Sequence, residues 1–169
     1  MLESENLIDN VLTVCKVLNK HSLEYLIVGG TAVAFHGYHR MTILPSGLQS
    51  EKHDLDFWYN PTYENYFKLL NALEDLGIDV TEYKLEKAPN PRKSFFTQEF
   101  NKLKIDFLPE IIGLKKFSPS FSKRIISIVE GIEICTISYK DLLKSKENSS
   151  RQKDIDDINH LKSIKNSKD

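Results

Sequence analysis

Hydrophobic residues recur at helical spacing along the first twenty positions and then form a short continuous run. The apolar members of this stripe are Leu7, Ile8, Val11, Leu12, Val14, Cys15 and Leu18. A period near 3.6 residues predicts an amphipathic helix that packs on a core. The run Tyr25–Val28 predicts a buried strand that stops at Gly29-Gly30, and Thr31–Phe35 is expected to begin a second helix.

Strand and helix patterns alternate through the rest of the chain. Residues 54–59 have a strand pattern, and residues 64–76 carry a helical stripe that follows a candidate cap at Thr62 and ends at Gly77. Turn residues then separate short apolar segments, which is typical of paired strands. These segments predict the strand pairs 94–100 with 103–108 and 124–129 with 132–137, a helix over 138–143, a polar connection over 146–150 and a helix over 152–164.

This order of elements predicts a mixed α/β fold with a mixed central sheet and flanking helices. The chain has 169 residues, of which 40% are hydrophobic, which is enough to bury one ordinary core. We therefore expect a single core domain over residues 1–146 and a C-terminal helical extension over residues 147–169 that packs on it. Residues 43–53 break both periodicities and are predicted to form a loop.

Charge and cysteine content exclude several classes of protein. Lys and Arg total 23 against 24 Asp and Glu, so no overall charge excess favours a nucleic-acid or membrane partner. Cys15 and Cys135 match no metal-ligand or redox spacing. The sequence shows neither a secretory signal nor an apolar run long enough to span a bilayer. We expect a cytoplasmic protein with no membrane partner.

Three carboxylates are the strongest chemical signal in the sequence. Asp54 and Asp56 lie in HDLDFW, and Asp106 lies in KLKIDFLP, each flanked by apolar residues. Side chains alternate along a strand, so both members of the Asp pair project from one face, and Asp106 can do the same on a neighbouring strand. At about 4 Å and an effective dielectric of about 20, each carboxylate pair repels by roughly 4 kcal/mol. A shared Mg²⁺ or Mn²⁺ would relieve that repulsion, because hard oxygen ligands suit these ions.

A glycine pair supplies a candidate phosphate site for such a metal. A strand that ends in Gly29-Gly30 and continues into a helix lets backbone amides approach an anion, with the Thr31 hydroxyl as a further donor. A plain tight turn is an equally good interpretation of the glycines alone. The acidic pair alone also fits a solvated strand face. Their occurrence together with a third Asp favours phosphoryl or nucleotidyl transfer, with Asp106 as the candidate general base.

These motifs together resemble the small nucleotidyltransferases of the DNA polymerase β superfamily, in particular the minimal bacterial type that includes abortive-infection and toxin–antitoxin enzymes. The resemblance covers about residues 25–161, in the order LIVGGTAVAFHGYHR, DLDFWYNPTYENYFKLLNALEDLG, KIDFLPEIIGLKKF and SYKDLLKSKENSSRQKDIDDINHL. It implies that Gly29 and Gly30 hold nucleotide phosphates and that Asp54, Asp56 and Asp106 bind the metal. The family runs almost directly from an Arg-x-Thr, here Arg40 and Thr42, into the acidic pair, whereas this chain interposes residues 43–53.

The expected activity is metal-dependent transfer of a nucleoside monophosphate from an NTP such as ATP to a hydroxyl acceptor, with release of pyrophosphate. The acceptor is a tRNA end, a protein side chain or a small molecule. Two rivals stay open. One is a nucleotide-binding component of a toxin–antitoxin pair, with a cognate toxin or antitoxin as partner and no turnover. The other is a metal-dependent phosphohydrolase, which would release product without labelling an acceptor.

Several other polar or aromatic residues are weaker candidates. His36, His39 and His53 do not guarantee the geometry of a zinc site, and surface or supporting roles are favoured. Trp58 would share a face with the acidic pair and is interpreted as a half-buried core aromatic rather than a platform for a base. The basic residues Arg40, Arg151 and Lys153 could reach a triphosphate or an acceptor, although a solvated helix face explains the last two equally well.

Overall fold

The computed structural model describes residue 2 and residues 4–37, 52–149 and 151–168, and it contains a six-stranded sheet in the order β3-β4-β2-β1-β6-β5. The strands are β1 Tyr25–Val28, β2 His53–Tyr59, β3 Phe96–Glu99, β4 Leu103–Leu108, β5 Ile125–Val129 and β6 Ile132–Thr136. The helices are α1 Leu7–Lys20, α2 Gly29–Phe35, α3 Tyr63–Asp75, α4 Thr81–Leu85, α5 Phe117–Ser122, α6 Tyr139–Glu147 and α7 Gln152–Lys168, with a 3₁₀ turn at Pro91–Lys93. This confirms the predicted mixed α/β class with flanking helices and a C-terminal helix.

Side-chain caps fix the starts of three helices. The side chain of Asn6 accepts a hydrogen bond from the Ile8 amide at 3.0 Å before α1. The predicted cap Thr62 accepts one from the Asn65 amide at 3.2 Å before α3, and Ser138 accepts one from the Asp141 amide at 3.3 Å before α6. Each cap satisfies an amide that the helix itself leaves without a partner, which typically stabilises the helix by about 1 kcal/mol.

The sheet is mixed, because it contains both antiparallel and parallel strand pairs. The two hairpins predicted from sequence are connected to the central strands by parallel pairing. β3 with β4 and β5 with β6 are antiparallel hairpins, as predicted. β2 lies parallel to β4 and antiparallel to β1, and β1 lies parallel to β6. The centre of the sheet therefore brings together strands from both ends of the chain, with β2 and β4 separated in sequence by α3, α4 and β3.

A continuous apolar core lies against the central strands. Phe57 of β2 stacks on Phe107 of β4 with ring centroids 5.0 Å apart, and its ring edge meets Tyr25 of β1 at 5.8 Å. Leu18 of α1 and Leu69 of α3 are fully buried against this cluster. Burial of such side chains contributes about 1.5–3 kcal/mol each relative to an exposed position. The central strands are thereby held in a fixed register.

The structure adds short elements that the hydrophobic pattern did not predict. Helices α4 and α5 have five and six residues, too few for a helical period to emerge from sequence.

The predicted polar connection over residues 146–150 is wrong at its start, because Lys146 and Glu147 belong to α6. Lys146 is 5% exposed, and buried carboxylates explain how its charge is accommodated there. The described residues include no helix with both the length and the apolar composition that crossing a bilayer requires.

Candidate active site

Asp56 and Asp106 lie opposite each other on adjacent parallel strands. The register of β2 with β4 pairs Asp56 with Asp106, and pairs Asp54 with Lys104 two positions earlier. Because side chains alternate along each strand, all four project from one face of the sheet. The intervening residues Leu55, Phe57, Ile105 and Phe107 are each 1% exposed in the core. The sheet thus brings together on one face the three carboxylates that the sequence singled out.

Asp56 is the most perturbed member of this group. Burial, followed by the negative charges of Asp106 and Asp54, raises the pKa of Asp56 to about 7. Both causes disfavour the ionised carboxylate, one by removing water and the others by repulsion. A carboxyl group with a pKa displaced this far by neighbouring acids is typical of functional sites.

Asp106 is held in place by its own hairpin. The hydroxyl of Thr97, directly opposite on β3, donates a hydrogen bond to Oδ1 of Asp106 at 2.8 Å. The ammonium group of Lys104 lies 3.3 Å from Oδ2 of the same carboxylate. Burial opposes the charge on Lys104, but Asp106, Asp54 and Asp56 together raise its pKa. Lys104 is therefore the counter-charge of the carboxylate group.

Neither supporting residue was identified from sequence. Lys104 precedes Asp106 by two positions, so strand alternation places both on one face, and the K-x-D spacing was a readable signal. Thr97 carries no such signal, because its position depends on the register of the hairpin. These two residues orient Asp106 and neutralise part of its charge.

Gly29 lies against the carboxylate of Asp56. Its φ of +66° is in the left-handed region, and a Cβ at this position would overlap with the Oδ2 atom of Asp56. The Cβ and Cγ atoms of Asp56 would lie only 3.2 Å from the added carbon. Glycine is thus required here both by the backbone angle and by the closeness of the acidic side chain. The backbone at the start of α2 is consequently part of the acidic site.

The hydroxyl of Thr31 is already engaged by the protein. It donates a hydrogen bond to the backbone carbonyl of Asp54 at 2.9 Å, and the residue is 4% exposed. This bond ties α2 to β2, so Thr31 positions the glycine turn over the carboxylates instead of offering its hydroxyl to a phosphate. Gly30 is the second residue of α2. Arg40 and residues 43–51 of the predicted loop lie outside the described residues, and the predicted loop over residues 43–53 is wrong at its end, because His53 is the first residue of β2.

A cleft of about 600 Å³ opens beside Gly29 and Asp56. Its opposite wall is the junction of α6 and α7, including Lys146, Ser149 and Arg151. A volume of this size is typical of a pocket for a nucleotide-sized ligand. The cleft therefore brings Gly29 and Asp56 into one cavity with both basic and acidic side chains of the α6–α7 junction, Lys146, Arg151 and Asp154.

The α6–α7 junction is held together by a buried ionic network. Lys146 Nζ lies 2.8 Å from Asp154 Oδ1 and 3.0 Å from Asp157 Oδ2, and both carboxylates are at most 1% exposed. Arg151 Nε and Ser149 Oγ donate to the other oxygen of Asp154 at 2.8 Å and 2.6 Å. Burial raises the pKa of Asp154, but these hydrogen bonds and the charge of Lys146 outweigh it and lower the pKa to about 2. The sequence spacing gave no signal for this network.

The weaker sequence candidates divide between core and surface. Trp58 is 1% exposed, donates its indole N–H to the Pro109 carbonyl at 3.1 Å and meets Phe117 edge-on, so it is a core residue.

His36 Nε2 lies 3.0 Å from the Ile137 carbonyl, and His53 is the first residue of β2. Arg151 is 63% exposed at its side chain and Lys153 lies on α7, whereas His39 is outside the described residues.

The donor set of the acidic face fits a hard divalent cation in chemistry but is not a ready-made cage. Among the described residues, no group of three or more His, Cys, Asp or Glu side chains is arranged to hold a metal ion. The three carboxylates nevertheless share one face, and burial followed by the charges of Asp106 and Asp54 raises the pKa of Asp56. Carboxylate oxygens are the ligands that Mg²⁺ and Mn²⁺ prefer, with substrate phosphates and water completing the coordination.

A mixed sheet with acidic residues on adjacent strands and a glycine turn against them defines the nucleotidyltransferase class, and comparison with known proteins supports this class. The family model described as nucleotidyltransferase of unknown function (DUF6036) matches residues 6–167. The chain belongs to that family. The resemblance to nucleotidyltransferases predicted from sequence is thereby confirmed. No curated relative matches the chain at a significant level.

Two solved structures share the fold. The crystal structure of the lincosamide antibiotic adenylyltransferase LnuA, lincomycin-bound, is 18% identical, with 90% of this chain and 94% of that chain covered and a TM-score of 0.56. An antigenic nucleotidyltransferase-like protein from Paracoccidioides brasiliensis is 13% identical, with 96% and 77% covered and a TM-score of 0.54. At these identities the likeness establishes the fold of the described chain, while the chemistry must be argued from its own residues.

Proposed function

We propose that this protein transfers a nucleoside monophosphate from an NTP to a hydroxyl acceptor and releases pyrophosphate. The observation that carries the proposal is the register pairing of Asp56 with Asp106, beside a glycine turn that touches Asp56 and at the edge of a cleft of about 600 Å³. Membership in the nucleotidyltransferase family supports the same reaction class.

Asp54, Asp56 and Asp106 are the proposed ligands of Mg²⁺ or Mn²⁺. When bound there, the ion supplies Lewis-acid chemistry at the phosphate oxygens. Among the described residues, Lys104 supplies a counter-charge 3.3 Å from Asp106. The raised pKa of Asp56 supports the assignment, because a bound cation favours the ionised carboxylate that repulsion now disfavours.

Asp106 is the proposed general base. Its Oδ1 is oriented by Thr97, and its side chain is 14% exposed, so the carboxylate is fixed in place and still partly exposed. It would accept the proton of the acceptor hydroxyl as the oxygen attacks the α-phosphorus and the bond to the β-phosphate breaks. Thr97 and Lys104 position Asp106 for that transfer.

The backbone at Gly29-Gly30 is the proposed contact with the nucleotide phosphates. Gly29 and Gly30 are both half-buried, and Gly29 lines the cleft beside Asp56. Thr31 holds this turn on β2 through its bond to the Asp54 carbonyl. Arg40 is assigned a supporting contact with the triphosphate or the acceptor, on the basis of the family resemblance alone.

Incubation with each α-labelled NTP, Mg²⁺ and a cell extract tests the proposal. We expect label to move to an acceptor, a tRNA, a protein or a small molecule, with pyrophosphate released in equal amount. Asp106→Asn keeps the side-chain volume but removes a proposed ligand and the base, so transfer should fall by at least about 10²-fold while NTP still binds. Asp79→Asn, at an exposed carboxylate before α4, is the matched control.

The alternatives give different results in the same experiment. A phosphohydrolase would release nucleotide or phosphate without a labelled acceptor. A nucleotide-binding component of a toxin–antitoxin pair would bind NTP with no turnover, and its cognate protein would be found as a stable complex. Transfer by Asp106→Asn within a few-fold of wild type would remove Asp106 from the reaction.

A further inference from the structure

Strand β5 is an exposed, apolar edge of the sheet. It is the last strand in the order and pairs only with β6 among the described strands. Ile125, Ile126 and Ile128 are 41%, 49% and 73% exposed. Edge strands usually carry a charge, a proline or a bulge that prevents pairing with another chain, and residues 125–129 contain neither a charged residue nor a proline. Among the described residues, no second strand pairs with this edge.

The opposite edge of the sheet is protected. β3 has only four residues, Phe96–Glu99, and ends in the charged Glu99. It follows a turn that contains Pro91, Arg92 and Lys93. A charged residue within the edge strand is a usual means of preventing edge-to-edge association, and residues 125–129 of β5 contain none. The contrast singles out β5 as the edge built for pairing.

The turn between β5 and β6 shows which backbone groups of β5 face outward. Glu130 and Gly131 both have positive φ, +50° and +76°, which is the geometry of a two-residue type I′ turn. In such a hairpin the flanking pair Val129 and Ile132 exchanges hydrogen bonds, and bonded and non-bonded pairs alternate from there. Ile126 and Ile128 therefore direct their backbone N–H and C=O groups away from β6.

The sequence of this edge is complementary to itself. In an antiparallel pair of β5 strands centred on Ser127, Ile126 of each copy faces Ile128 of the other, which joins the outward backbone groups identified above. The same register brings Arg124, whose Nη1 donates to the carbonyl of its own Phe121 at 2.9 Å, to the end where Glu130 of the other copy's turn lies, so opposite charges approach each other at both ends. A two-fold axis through Ser127 therefore pairs the outward backbone groups, brings the apolar side chains into contact and brings opposite charges near each other in one arrangement.

We propose that β5 pairs antiparallel with β5 of a second copy of this chain, about a two-fold axis at Ser127, to form a homodimer with one continuous sheet. Ile126 and Ile128 of the two copies cluster on one face of this junction, and Arg124 and Glu130 set its register. The interface lies on the strand edge and uses none of the acidic residues assigned to the reaction.

Sedimentation of the full chain over the micromolar concentration range tests the dimer. We expect a reversible dimer. Ile128→Lys should raise its dissociation constant at least about tenfold, because the lysine places a charge against the apolar Ile126 of the other copy. Leu85→Lys is the matched control, since Leu85 of α4 is 75% exposed and remote from β5. Thermal melts establish that both variants are folded. A wild-type chain that stays monomeric, or a dimer as stable with Ile128→Lys as without it, would overturn the proposal.

Charge exchange and cross-linking test the register. Arg124→Glu and Glu130→Arg should each weaken the dimer, whereas the double variant should regain it because the pair is restored with its charges exchanged.

Ser127→Cys should form an intermolecular disulfide on mild oxidation, since a non-hydrogen-bonded pair has Cα atoms about 4.5 Å apart. Cys15 and Cys135 are buried and do not compete, and Ser118→Cys in α5 is the control. A dimer that Ser127→Cys does not cross-link has a different interface.

Discussion

At the scale of single residues, the site depends on a contact between a glycine and a carboxylate. Gly29 leaves the space that the Asp56 side chain fills, and its φ of +66° turns the chain from β1 into α2 at that point. In the sequence, the glycine pair fits a phosphate contact and a plain tight turn equally well. The structure shows a second reason for a glycine, since any side chain at position 29 would displace the carboxylate.

Gly29→Ala should destabilise the protein by more than the backbone angle alone explains. A positive φ costs a residue with a Cβ about 1–2 kcal/mol, and overlap with Asp56 adds to that cost. Gly77→Ala is a matched control, because Gly77 has a φ of +83° and no heavy atom within 4 Å of an added Cβ. Urea unfolding of both variants gives the comparison. Equal losses of free energy of unfolding would show that Asp56 can move aside without cost.

At the scale of elements, the α6–α7 junction forms one wall of the cleft and is fixed by charge. Lys146 reaches from α6 to Asp154 and Asp157 of α7, and all three side chains are at least nine-tenths buried. Such a network costs desolvation energy that only good hydrogen bonding offsets. The network orients α7 relative to α6 and holds Arg151 and Ser149 at the lining of the cleft.

The stability supplied by Asp154 should be lost in acid. Its pKa is about 2 in the folded protein, below the ordinary value of 3.8, so the folded state holds its carboxylate ionised more strongly than the unfolded state does. The contribution is present above about pH 4 and disappears as the pH falls towards 2, with a size of about 2 kcal/mol. Urea unfolding as a function of pH measures it.

Asp154→Asn should lower the free energy of unfolding near neutral pH and reduce its decline in acid. Asp156→Asn, at an exposed carboxylate on the same helix, is the control. A pH dependence identical in Asp154→Asn and wild type would show that the buried network does not stabilise the folded protein.

At the scale of the whole molecule, the acidic face combines parts of the chain that are far apart in sequence. β2 and β4 meet in parallel register, and α2 covers the acidic pair from the first third of the chain. The carboxylates therefore come together only in the folded protein. Any ion that binds all three must bind the folded state and not the unfolded one.

Mg²⁺ should accordingly stabilise the protein against heat. Binding to the folded state alone adds about 2.7 kcal/mol at a concentration 100 times the dissociation constant. Asp56→Asn removes a proposed ligand and also relieves repulsion, so the quantity to compare is the shift caused by Mg²⁺, not the melting temperature itself. The shift should shrink in Asp56→Asn and persist in Asp156→Asn. No shift at millimolar Mg²⁺, with or without NTP, would count against a shared metal site.

The sequence by itself determined the elements and the chemistry they offer. Alternation fixed β2 and β4 as strands and placed Asp54, Asp56 and Asp106 on faces opposite Leu55 and Ile105, because the period of a strand is local. Caps such as Thr62 and Ser138 were readable for the same reason, since a cap bonds an amide two or three residues away.

Only the tertiary structure decided which of these local patterns meet. The parallel register of β2 with β4 sets Asp56 opposite Asp106, and the β3–β4 register brings Thr97 to the same carboxylate. The burial of Lys146 between two aspartates of α7, in a segment predicted to be a polar connection, follows from helix packing. Contacts of this kind join residues that are far apart in sequence, and the local period of a helix or strand carries no information about them. The sequence therefore identified the carboxylates, whereas only the tertiary structure showed which residues contact them.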